Sequence, residues 1–402
     1  MFFTKIKYSL HCFFVGLISW LLSFFLYSPR FILFLGKDSG TTRRDNLLLQ
    51  CIDPFTRHLI GVERHQLYTR ILQPSIANLL GWCGERRDFL ALLGSPGIAY
   101  SALIFTLSFL YCALRKYFCK GLSIAGTFAI STSMVTQWTN THWGHPDSLT
   151  FLPISILLLK RNYFFIVFCT FIGSFNDERF ILSIPFLLLW WHLTDQKEGQ
   201  KLNLYKSIFA FGIGILILFL FKFALINGYI GPGIEKEHSL FISLLNDYFL
   251  PIVLNPSKWP QFIFLIFLGF RWLWILPLVA LTICVRHKKI IIFYSLLIPI
   301  LLSSLVIAIN ADIGRSISFC YPLIPVSMLI IKDIGKWSNE KLIYFLNFIL
   351  MFNILTPAAK VFYVPPNWWK TNPLEWSSPA LPLPLNLWRW LTSPNGAQTW
   401  IK

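Results

Sequence analysis

The chain has 402 residues, of which 55% are hydrophobic, 17% aromatic and only 13% charged, and its mean hydropathy is +0.60. Soluble globular domains carry about 25% charged residues, so this balance excludes that class and predicts one all-α bundle in a membrane. The formal net charge of +17 comes without a basic stretch interleaved with aromatics on a soluble face, which excludes nucleic acid as a partner.

Apolar runs near the length that crosses roughly 30 Å of hydrocarbon recur along the chain. In order they cover 8–28, 94–114, 121–137, 148–159, 162–175, 180–193, 207–226, 262–285, 290–309, 316–331 and 342–358, which predicts about eleven spans. The fourth to sixth are short and suit tilted pairs or half-buried hairpins. The first run starts after Lys5 and Lys7, but no small-residue cleavage site follows Tyr27, so it reads as a retained span. Residues 1–358 form the expected bundle, including a long loop at 29–93, and 359–402 form a tail rich in Trp and Pro.

Charge sets the orientation. With the N-terminus in the cytoplasm, the short cytoplasmic segments hold 16 Lys and Arg, whereas the short loops around 138–147, 176–179 and 310–315 hold only Arg179 and Arg315. That asymmetry follows the positive-inside rule and predicts an N-in, C-out topology. The acids run the other way: Asp195, Glu198, Asp333 and Glu340 are cytoplasmic, and the remaining 14 of 18 fall on the outer side. Lean loops, and a C-terminus (Trp400-Ile401-Lys402) without a retention signal, favour a bacterial inner membrane with the active face periplasmic.

The outer side therefore carries the candidate chemistry. Its long first loop holds Asp38, Asp45, Asp53, Arg57, Arg64, His65 and Arg70, followed by Leu67, Ile71, Leu72, Ile76, Leu79 and Leu80 at helical spacing. This predicts an amphipathic helix with Pro74 inside it and Gly81 near its end, either at the membrane surface or capping the bundle. Cys51 and Cys83 lie in the same loop, where an oxidising compartment would permit a disulfide.

His142, His145 and Asp147 sit within six residues. Zinc wants three or four protein ligands, and Gly144 and Pro146 point to a turn, so no metal is assigned; a substrate-contacting loop or a solvated turn fits better. Asn176-Asp177-Glu178-Arg179 joins two apolar runs, and ionisable groups at such depth tend to be functional. An Asp177 or Glu178 pair with Arg179 is the simpler account, as is an Asp312–Arg315 pair at the edge of a later span. Lys222 sits near a span end, where snorkelling explains it. Arg271, deeper in its run, predicts either a lipid phosphate contact or a span that starts later.

Arginine forks suit phosphate, carboxylates suit a general base, and aromatic rings suit sugar faces and the lipid interface. Together they fit transfer of a sugar from a polyprenyl-phosphate donor to a glycan or lipid acceptor, with membrane lipids alongside. A possible divalent cation stays open. The layout over 8–358, with Tyr68-Thr69-Arg70-Ile71-Leu72-Gln73-Pro74 after the first loop's acids, resembles the GT-C superfamily of membrane glycosyltransferases. That family often has an acid or an adjacent acidic pair soon after its first span; here Asp38, Asp45 and Asp53 stand separately. The resemblance implies a lipid-linked sugar donor and an inverting displacement. It makes Asp53 or Asp45 the base, with Asp177 or Glu178 second, and Arg57, Arg64, Arg70, Arg179 and Arg315 the phosphate contacts. His65, His142, His145, Asp147 and Asp312 join these as substrate-contacting candidates. An O-antigen-type polymerase or ligase would share this architecture with its large loop late in the chain. A transporter of a lipid-linked substrate would show charges or Gly/Pro breaks at mid-membrane.

Overall fold

The computed structural model describes residues 2–27, 51, 72–83, 93–141, 145–198, 203–230, 256, 259–307 and 313–356. All regular structure among these residues is helical. The first helix, α1 (Phe2–Tyr27), lies along α3 (Ile98–Tyr117), and a short α2 (Leu72–Leu79) sits between them in sequence. The backbones of α1 and α3 meet at Gly16, where a Cβ would stand 2.1 Å from Ser108 Oγ and 2.7 Å from the Ile104 carbonyl oxygen.

Where one span is expected at 121–137, the chain forms α4 (Lys120–Ser131) and α5 (Met134–Thr141). The break has a local cause. The Thr132 and Ser133 hydroxyls donate back to the carbonyls of Ala129 and Ile130 at 2.7 Å each, competing with the main-chain ladder. Helices α6 (Asp147–Leu159) and α7 (Tyr163–Asn176) follow as a tight antiparallel pair. Asn162 starts α7 by accepting the Phe164 N–H at 2.9 Å. The carbonyls left open at the end of α6 are taken by side chains: Trp191 and Trp190 donate to Leu157 and Leu158, and Lys116 to Leu159.

Next come α8 (Ile184–Glu198), α9 (Leu204–Ile226), α10 (Trp259–Phe270), α11 (Ile275–Arg286), α12 (Ile290–Ile307), α13 (Ile313–Ile317), α14 (Leu323–Asp333) and α15 (Asn339–Leu355). Helix α14 is the axis of the core: every residue from Leu323 to Ile331 is buried. By contrast, only about a quarter or less of the residues in α9 and α12 are buried, and their apolar faces point outward.

Among the described residues, five stretches are long and apolar enough to cross a membrane, namely Tyr8–Tyr27, Ile98–Tyr117, Leu204–Leu225, Phe262–Arg286 and Ile290–Ile307. The pair Ile313–Cys320 and Leu323–Asp333, bent by 48°, adds a sixth if it is one span, and α6 and α7 are shorter apolar helices. These helices mark the chain as a membrane protein.

Arg271 sits at the break between α10 and α11 with φ of 51°, in the left-handed region, and is 1% exposed. It donates to Tyr27 OH at 2.6 Å, Gln137 Oε1 at 3.1 Å and the carbonyls of Asn353 and Thr356 at 2.9 and 3.3 Å. One guanidinium thus ties α1, α5 and α15 to the break, with its charge spread over neutral acceptors. Arg271→Met should destabilise the detergent-solubilised protein by about 3–5 kcal/mol, because several buried acceptors lose a charged donor. An unchanged midpoint in equilibrium unfolding would remove Arg271 from this role.

Candidate functional site

One end of the bundle gathers the sequence's separate polar motifs. Asn176, the last residue of α7, donates to the Pro146 carbonyl at 2.7 Å and to Thr150 Oγ1 at 2.8 Å. These bonds fasten the turn before α6 to the end of α7. Asp177 then leaves the helix in extended conformation and caps a 3-10 turn (Glu178–Ser183) by accepting the Arg179 N–H at 3.1 Å. The same carboxylate accepts from Arg179 Nε at 2.8 Å and, on its other oxygen, from Arg179 Nη2.

The two acids share an arginine. Arg315, on α13, donates from Nε and Nη2 to the two oxygens of Asp147 at 2.6 Å each. Its Nη2 also lies 3.6 Å from Asp177 Oδ2. Charges therefore alternate as Asp147, Arg315, Asp177, Arg179. Side-chain exposures of 1%, 3%, 1% and 11% put this series out of water. Arginine stays protonated in such a site, and two bonds at 2.6 Å require Asp147 to be the carboxylate. Desolvating ions costs several kcal/mol each, and alternation with bidentate geometry offsets it. Asp147 also lies in the first turn of α6, where a helix favours negative charge.

Aromatic rings line the series. The Arg315 guanidinium lies 5.3 Å from the Trp138 ring centroid, and that of Arg179 lies 4.8 Å from Phe319. His145 Nδ1 is 3.0 Å from Asp147 Oδ1, and its ring stands edge-on to Trp138 at 5.9 Å. Arg179 Nη1 donates to Ser316 Oγ at 3.0 Å, tying the 3-10 turn to α13.

Of the sequence candidates, His145, Asp147, Asp177, Arg179 and Arg315 come together here. Glu178 points away, with a side chain 46% exposed, and pairs with Lys222 of α9. The snorkelling expected of Lys222 gives way to this ion pair. Arg315 finds Asp147 and Asp177, while Asp312 lies outside the described residues, as do His142, Asp45, Asp53, Arg57, Arg64, His65 and Arg70. Trp138, Asn176 and Ser316 join the site without having been singled out for it; only their places inside polar loop motifs pointed to them. Among the described residues, no group of three or more His, Cys, Asp or Glu is placed to hold a metal ion.

The feet of the long first loop reach the same end. Cys51 and Cys83 form a disulfide closing a separation of 32 residues, and Asn78 Nδ2 donates to the Cys51 carbonyl at 2.9 Å. Cys51 packs in one cluster with Ala77, Ile98, Ala102 and Leu149, while Leu72 packs against Phe175 and Leu218. Pro74 lies within the described part of α2 (Leu72–Leu79), as the spacing predicts. Gly81, at φ of 67°, ends it, with the Trp82 N–H returning to the Ala77 carbonyl at 2.9 Å. The inward face carries Gln73, Pro74 and Ala77, whereas Leu79 and Leu80 are 84% and 50% exposed. The outward leucines suit a helix lying at a lipid surface.

In comparisons with known proteins, no family model, no curated protein and no solved structure matches the chain.

Arg315→Met should cost about 3–5 kcal/mol by leaving Asp147 buried without its partner. In Asp147→Leu/Arg315→Met the loss should be smaller than the sum of the single changes, as measured by a thermal-unfolding cycle. Lys222→Met, at a half-exposed pair, should cost less than about 1 kcal/mol.

Proposed function

We propose that the chain is an integral membrane glycosyltransferase of the GT-C type, moving a sugar from a polyprenyl-phosphate donor to an acceptor hydroxyl. In this reading it has about eleven spans with the N-terminus in the cytoplasm, in a bacterial inner membrane, and the reaction occurs on the periplasmic face. The observation that carries the reading is the buried series Asp147, Arg315, Asp177, Arg179 at the bundle end where the long loop is anchored. A phosphate head and an apolar tail require charge and lipid-facing surface side by side, and that end has both.

The pairing redistributes the roles. Asp177 holds Arg179 through both oxygens and faces Arg315, so its lone pairs are engaged and it is poorly placed to take a proton from an acceptor hydroxyl. The base is better assigned to Asp53 or Asp45, on the chain leading to and from Cys51, with Glu178 as the exposed alternative. Arg57, Arg64 and Arg70, with His65 and His142, are then the groups to meet the donor phosphate. Arg179, the most exposed member of the series, is the inner contact, and Arg315 and His145 hold the floor beneath it. The base takes the acceptor hydroxyl proton as the oxygen attacks the anomeric carbon, and the lipid phosphate leaves with the bonding electrons, stabilised by the guanidiniums.

A second reading, transport of a lipid-linked substrate, is favoured by the breaks at Arg271 and between Cys320 and Leu323, since broken helices line many transport sites.

Glycosyl transfer from a panel of polyprenyl-phosphate sugars in nanodiscs separates the two. The wild type should transfer label to a lipid-extract acceptor. Asp53→Asn should lose roughly 10²–10⁴-fold while remaining folded, the range for removal of a general base. Label that crosses proteoliposome membranes without ever being transferred would replace the transferase reading with transport.

A further inference from the structure

Among the described residues, the non-glycine positions with left-handed backbone are Arg271, Lys288 and Lys336. Both lysines have φ of 55°, and both stand just past the C-terminus of a helix, Lys288 after α11 and Lys336 after α14. The two helix ends are neighbours, for a Cβ on Gly335 would stand 2.7 Å from Ile283 Cδ1. Gly335 is consumed by that close approach, which leaves the left-handed turn to Lys336. After α11, the Lys289 N–H returns to the Cys284 carbonyl at 2.8 Å, a Schellman closure whose left-handed residue is usually glycine. Glycine would take either lysine's position without the Cβ penalty, so strained lysines at both point to a use for their side chains.

Arg286 and Lys289 complete a basic rim with these lysines. All four side chains are exposed, and none makes a hydrogen bond or ion pair with a described residue. The acids nearest in sequence are Asp333, held by Lys197 at 2.8 Å, and Glu340 in the first turn of α15. Apolar surface continues directly from the rim: Val285 is 62% exposed, Ile290 61%, Ile291 80% and Tyr294 52%. Unpaired cations over an apolar strip match a phosphate head above acyl chains.

We propose that Arg286, Lys288, Lys289 and Lys336 form a headgroup site for a phospholipid of net negative charge, whose chains lie along Ile290, Ile291 and Tyr294. The site is at the opposite end of the bundle from Asp147 and Arg315, and it stands whether or not the chain transfers sugars. Partial negative charge at the two helix C-termini also attracts lysine, and the test separates that effect from lipid binding.

The purified full-length protein in neutral maltoside micelles is titrated with dioleoyl phosphatidylglycerol, dioleoyl phosphatidylcholine or glycerol 3-phosphate. Melting temperature and bound lipid, the latter by native mass spectrometry, are followed. Phosphatidylglycerol should stay bound and raise the melting temperature, and the other two should not. Lys288→Gly/Lys336→Gly should melt no lower than wild type in lipid-free micelles, yet bind phosphatidylglycerol about 30-fold more weakly. Lys222→Met, beside Glu178 at the opposite end of the bundle, should keep the wild-type affinity. Equal stabilisation by phosphatidylcholine, or full phosphatidylglycerol affinity in the glycine variant, overturns the proposal. So does glycerol phosphate binding as well as the lipid. A glycine variant that melts lower without lipid would assign the lysines to the helix ends instead.

Discussion

A guanidinium held between two buried carboxylates is the constraint on which this end of the molecule depends. Arg315 is buried against Asp147, its bidentate partner, with Asp177 as a second, longer contact, and Arg179 neutralises Asp177 in turn, so each ion of the series faces an opposite charge. The four side chains come from the start of α6, the end of α7, the 3-10 turn that follows and α13. A shift of any of these segments would lengthen a contact between buried ions. Asn176 and Ser316 serve the same constraint by holding those segments in register. The close approach of α10 and α13, where a Cβ on Gly269 would stand 2.0 Å from Ile317 Cγ2, seats α13 directly on its neighbour.

Arg271 shows the other way to bury a cation. Among the described residues its partners are a phenol, an amide oxygen and two carbonyls, with no carboxylate. Helix α5 stands between the two arginines: Gln137 meets Arg271 and the next residue, Trp138, meets Arg315. The broken helices are what make these arrangements possible. A continuous helix consumes its own carbonyls, whereas α4 and α5, α10 and α11, and α13 and α14 each stop short and leave polar groups for side chains to use.

The sequence discloses its local relations and hides its distant ones. Helical spacing announced α2, and Arg179 lies two residues from the acid it holds, so these were legible. The break inside 121–137 was masked because Ser131, Thr132 and Ser133 sit in an apolar run, where a hydropathy average dilutes them. Asp147 and Arg315 are 168 positions apart, and nothing in a single chain pairs them. Lys222 was discounted for the same reason, since Glu178 comes from another helix. Arg271 announced itself as an outlier of charge, but its acceptors are mostly backbone atoms and phenols, which composition cannot rank.

The disulfide between Cys51 and Cys83 has an evolutionary consequence. It makes the intervening stretch a closed ring whose two feet are fixed to α3 and the start of α6. Closing a longer ring costs only logarithmically more entropy, so residues can be inserted or deleted between Cys51 and α2 while the clasp and the contacts of α2 with the bundle are kept. A lineage carrying this clasp can change the length of the ring with the buried charges beneath it inherited intact.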